Sequence, residues 1–113
     1  MDILIFKIND SKTHIITKLA KLKNTSVYLA VTKDDAFRIA EEIKPEIVII
    51  GNIQEVGYKF LNNLYNHNLI MNIFQLKENM QQSEDYHLFN PRSNKKVNFK
   101  NLIEQIKKGG HYV

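Results

Sequence analysis

The chain contains no cysteine. That excludes a disulfide scaffold, a thiolate zinc site and an iron–sulfur cluster. Glycine is scarce, and Gly51-Asn52 is a lone glycine rather than a phosphate-cradling loop, so no dinucleotide site is expected. Long apolar runs are missing too. Ile47-Val48-Ile49-Ile50 lies between Glu46 and Gly51, far short of the roughly 20 residues a membrane span needs. Met1-Asp2 leads straight into Ile3-Leu4-Ile5-Phe6 without a basic region or a small-residue cleavage site. A chain without a signal peptide, resident in the cytoplasm, is the expectation. His14, His67, His87 and His111 show no i, i+3 or i, i+4 spacing, so no metal site is expected. Ser11 and Ser26 lack the glycine-flanked turn that exposes a nucleophile.

What is present fits one ordinary domain. The 113 residues are 43% hydrophobic and 25% charged, a globular balance that excludes disorder and leaves no room for a second core. The net charge of +4 is mild. Its lysines form small clusters, Lys18/Lys21/Lys23, Lys95/Lys96/Lys100 and Lys107/Lys108, read as solvated helix faces rather than a nucleic-acid stripe.

Apolar runs alternate with amphipathic stretches. Ile3 to Ile8 reads as a strand, and Asn9-Asp10-Ser11 offers helix-starting oxygens. Ile15, Ile16, Leu19, Ala20 and Leu22 mark one helical face. Val27 to Val31 follows as a strand. Thr32 is a cap candidate, with Asp35 in the place of the capping-box acid. Ala36, Phe37, Ile39, Ala40 and Ile43 give the next face, and Lys44-Pro45 stops it, because proline disfavours the α region in the residue before it. Ile47 to Ile50 is apolar on both faces, as in the centre of a parallel sheet. Val56, Phe60, Leu61 and Leu64 form a third face. Leu69 to Leu76 is a strand, Lys77 to Asp85 a polar loop or short irregular helix, Tyr86 to Phe89 a weak strand, and Arg92 to Lys96 a basic loop. Asn98 can cap a last helix carrying Phe99, Leu102, Ile103 and Ile106, ended by Gly109-Gly110. Strands alternating with helices predict an α/β domain over 1–113 with right-handed crossovers and a parallel sheet covered on both faces.

Asp35-Ala36-Phe37-Arg38-Ile39-Ala40-Glu41-Glu42-Ile43-Lys44-Pro45-Glu46-Ile47-Val48-Ile49-Ile50 resembles the run into the third strand of receiver domains in two-component response regulators. Val56 to Leu64 is similar to the helix start that follows, and Ile15-Ile16 and Leu19-Ala20 fall in the same ungapped register. The resemblance implies a flavodoxin-like, doubly wound domain with a five-stranded parallel sheet in the order 2-1-3-4-5. The fourth helix would be short or missing.

The phosphotransfer chemistry of that family is not matched. Gly51 stands where the resemblance puts the phosphorylated aspartate, and glycine has no nucleophile. Lys7 and Ile8 stand where two acids would hold Mg²⁺; Asp10 enters that place only with a slip in register. The switch hydroxyl position falls near Phe74-Gln75, and Asn90-Pro91 replaces the expected Lys-Pro. A cation in a metal site repels the metal. The residues Lys7, Ile8, Asp10, Gly51, Gln75, Asn90 and Pro91 thus read as a degenerate phosphoacceptor pocket, with no catalytic residue, metal or cofactor.

Leu102 to Val113, ending Gly109-Gly110-His111-Tyr112-Val113, is similar to the last receiver helix and linker of NarL/FixJ-type regulators with a LuxR-type DNA-binding domain. Residues from about 107 to 113 would begin that linker. The implied function is non-enzymatic: a phosphorylation-independent regulatory and dimerisation domain, meeting DNA only through a domain not in this chain. A free-standing signalling adaptor and a small-ligand sensor at the strand ends are the alternatives. Tyr86 and Phe89 read as a fixed packing pair. Two outer faces stand out as homodimer surfaces. One joins the fourth strand to the last helix, with Asn72, Gln75, Tyr86, Lys100, Glu104 and Lys107. The other joins the first and last helices, with Lys12, Lys18, Leu22 and Ile106. The first is favoured, because a missing fourth helix would expose apolar surface beside it.

Overall fold

A computed structural model describes residues 1–6, 13–51, 57–67, 72–78, 86–90 and 93–108. The elements are β1 (Asp2–Phe6), α1 (Thr13–Ala20), β2 (Ser26–Ala30), α2 (Lys33–Ile43), β3 (Ile47–Ile50), α3 (Tyr58–His67), β4 (Asn72–Glu78), β5 (Tyr86–Asn90), β6 (Lys95–Asn98) and α4 (Phe99–Lys107). The strands form one six-stranded sheet, β2-β1-β3-β4-β5-β6. The domain is α/β, with helices on both faces of a mixed sheet.

The helices are set by their caps and apolar faces. Thr32 accepts a hydrogen bond from the Asp35 backbone N–H at the start of α2, and Asn98 accepts one from the Lys100 N–H at the start of α4. Each side chain satisfies a donor that the first helical turn leaves unpaired. At the far end of α2, Lys44 leaves the right-handed α region for the left-handed one, φ 54° and ψ 62°, rather than for extended backbone. Gly57, at φ 82°, precedes α3 in a conformation that L side chains rarely adopt.

Two apolar layers sandwich the sheet. On one face Leu4, Phe6, Val48, Ile50 and Ile73 meet Ala36 and Ala40 of α2 and Phe60, Leu61 and Leu64 of α3. On the other, Ile3, Ile5, Ile47, Ile49, Phe74, Leu76 and Leu88 meet Ile15 and Leu19 of α1 and Phe99, Leu102 and Ile106 of α4. Residues alternate between the faces along each strand, as the two-residue period requires. β3 lies between β1 and β4, and all four of its side chains are fully buried. It is the central strand that its double-sided apolarity predicts.

The C-terminal half corrects the expectation of five parallel strands. β1 pairs in parallel with β2 and β3, and β3 with β4. β5 runs antiparallel to β4, and β6 antiparallel to β5. β6 occupies part of the segment read as a basic loop. Antiparallel neighbours need no crossover helix between them. The expected fourth helix falls on residues 79–85, outside the described residues. So do the Asn9-Asp10-Ser11 cap, Val56, and the Gly109-Gly110 stop with the rest of the expected linker, whose first residues, Lys107 and Lys108, end α4.

Candidate functional site

The carboxyl ends of the parallel strands form the crevice where ligands of open α/β sheets settle. Here β3 ends at Ile50, whose cross-strand partners are Phe6 on β1 and Gln75 on β4. Gly51 follows directly and donates its backbone N–H to the Phe6 carbonyl, at 3.0 Å. The pairing therefore seats Gly51 between the ends of β1 and β3 with Gln75 one strand away. Gln75 is half-buried on the α2/α3 face, in line with Ile73. The backbone can offer hydrogen bonds there, and Gly51 brings no nucleophile and no charge.

Asn90 does not join this cluster. Because β5 is reversed, the chain beyond Asn90 leads away from the carboxyl ends of β1, β3 and β4. Asn90 is buried, and its Oδ1 accepts a hydrogen bond from the Ser93 N–H, 3.4 Å. Asn94, at φ 57°, completes the reversal into β6. The pocket residue expected from sequence is thus a turn-former. Lys7, Ile8, Asp10 and Pro91 lie outside the described residues. No group of three or more His, Cys, Asp or Glu side chains is placed to hold a metal among the described residues, and no helix there is long and apolar enough to cross a membrane.

The candidate interface is only partly assembled. Lys100, Glu104 and Lys107 are exposed in one stripe of α4, at i, i+4 and i+7. Asn72 begins β4 opposite Ile47, three residues before Gln75, and its backbone N–H bonds the Glu46 carbonyl. β5 and β6 separate β4 from the sheet edge. The side of the domain next to α4 is therefore formed by β6, which sequence reasoning missed. The short run of turn formers from Asn90 to Asn94, followed by Lys-Lys-Val-Asn, is the signal that a hairpin there would have required. Phe89 is half-buried beside Gln75, and the Tyr86 side chain lies outside the described residues. On the second face, Lys18 is exposed, Leu22 half-buried and Ile106 buried, while Lys12 lies outside the described residues.

Comparison of the chain with protein-family models, curated protein sequences and solved structures returned no match.

Proposed function

We propose that the chain is a pseudo-receiver, a cytoplasmic and non-enzymatic domain that regulates and dimerises a two-component-type transcription regulator without phosphorylation. The observation that carries this reading is Gly51, held against the end of β1 at the place the receiver resemblance gives to the phosphorylated aspartate. The strand order β2-β1-β3-β4 and the packing of helices on both faces support it. The reversal of β5 departs from the five-parallel-strand pattern of that family. It also takes Asn90 away from the crevice, which weakens phosphoryl chemistry further. Sequence-specific DNA contact falls to a domain not in this chain. The α4 stripe, with Glu104 between Lys100 and Lys107, suits a two-fold contact in which each copy's carboxylate meets the other's ammonium groups.

The test is incubation with phosphoramidate and Mg²⁺ followed by intact-mass measurement, beside sedimentation at high micromolar concentration. The expected result is an unmodified dimer. Stoichiometric acid-labile phosphate overturns the first part. A monomer at that concentration places dimerisation elsewhere in the protein.

A further inference from the structure

Lysines far apart in sequence lie on helices that cover one face of the sheet. α1 with its following turn carries Lys18, Lys21 and Lys23 and no acid between Thr13 and Asn24. α4 and its cap carry Lys100, Lys107 and Lys108 against the single acid Glu104. These two helices cover the same face of the sheet. Among the described residues of α1, its following turn and α4 with its cap, six ammonium groups thus stand with one carboxylate. The opposite layer is balanced: Lys33, Arg38, Lys44 and Lys59 of α2 and α3 stand among Asp34, Asp35, Glu41 and Glu42. There Arg38 pairs with Asp35 at 3.4 Å, and the Lys33 ammonium sits 5.9 Å from the centre of the Phe60 ring. Among the described residues, no carboxylate pairs with any of the six lysines of the basic layer, and all six are exposed.

We propose that the α1/α4 layer is a sequence-independent docking surface for the phosphate backbone of a nucleic-acid duplex. The chemistry of the patch selects this partner over other polyanions. Among the described residues the exposed large apolar side chains are Leu29, Val31 and Tyr58; none is on α1 or α4, and Leu29, which shares their sheet face, stands alone on the edge strand β2. A protein interface draws its energy from apolar and aromatic anchors, and an interfacial membrane helix from a buried apolar face. The backbone of a duplex asks only for dispersed cations that release counterions. Lysine supplies point charges without the planar fork that reads a base edge, so the contact carries affinity and no sequence preference. The domain measures 32 × 30 × 26 Å, about the length of one duplex turn of roughly 34 Å. This proposal does not rest on the dimer reading: where Lys100 and Lys107 pair across a dimer, Lys18, Lys21, Lys23 and Lys108 remain for the duplex. It adds a direct contact to a domain whose specific contacts were assigned elsewhere.

The test uses the whole chain with a labelled 20-base-pair duplex of arbitrary sequence, read by fluorescence anisotropy at rising salt. One variant combines K18Q, K21Q, K23Q and K108Q, all outside the candidate dimer stripe. A control combines K33Q, R38Q, K44Q and K59Q, removing the same charge from the other layer. Wild-type binding that weakens on the order of a hundredfold between 50 and 200 mM salt, as about four phosphate contacts imply, is expected. The basic-layer variant loses at least tenfold at low salt, and the control keeps its affinity. Equal losses in the two variants overturn the proposal, because net charge rather than layout would then govern. So does absence of duplex binding at low salt, including the case in which the chain instead sediments with phosphatidylserine vesicles.

Discussion

The two halves of the sheet solve the same burial problem differently. β1 and β3 are flanked by helical layers on both faces, and from Ile3 to Phe6 and from Ile47 to Ile50 every side chain is buried. In β5 and β6 the faces are unequal. Leu88 and the partly buried Val97 join the core under α4, while Phe89 is half-buried and Lys96 exposed on the other side. A strand covered on both sides must be apolar throughout, whereas an antiparallel strand covered on one side needs apolar residues only at alternate positions. The direction of pairing and the pattern of the sequence are thus two expressions of one fact, namely how many faces have a cover.

Truncations can break that comparison. Ile49→Ala, in the doubly covered half, is expected to cost roughly 2–5 kcal/mol in chemical denaturation. Val97→Ala, on the outermost strand, should cost under about 1.5 kcal/mol, since less apolar surface leaves water there on folding. Similar losses at the two sites would show that both halves are buried alike. The caps sharpen the comparison at a smaller scale. Thr32→Ala opens α2 and Asn98→Ala opens α4, and each should lower stability by about 1 kcal/mol. A loss at Asn98 well below that at Thr32 would mean that α4 is held by its core face alone. The smallest effect is expected at the exposed Arg38–Asp35 pair, 61% and 43% accessible. Arg38→Ala should change stability by about 0.5 kcal/mol or less, and a larger change would assign the arginine a packing role.

Much of the parallel half was legible because its signals are local. Ile47 to Ile50 has no polar face, Thr32 with Asp35 is a cap visible in four residues, and the faces of α2 and α3 repeat at helical spacing. The reversal of β5 was not legible from its neighbours. Tyr86 to Asn90 alternates weakly, and nothing in five residues states the direction of a strand; that is decided by β4 and β6, which pair with it. The same reversal explains the fate of the expected pocket. Gly51 follows β3 directly, and Gln75, within β4, pairs with Ile50, so the parallel pairing keeps them one residue and one strand apart. Asn90 sits on the strand whose direction was misread, and its side chain closes a turn instead. The charge layering was invisible for another reason: α1 and α4 are far apart in the chain, and only the shared core beneath them puts their lysines in one layer.

The sheet ends in two unlike edges. An edge strand leaves backbone donors and acceptors open as a template for an added strand, and lysine is a common guard against such addition. β6 presents Lys95 and Lys96 in succession, both exposed. β2, from Ser26 to Ala30, contains no charged residue, and Leu29 on it and Val31 just beyond are exposed. Stacking a second copy on β6 would bring ammonium groups together, whereas β2 imposes no such electrostatic cost. The domain therefore has a direction in which it resists extension of its sheet and another in which its side-chain charges offer no resistance.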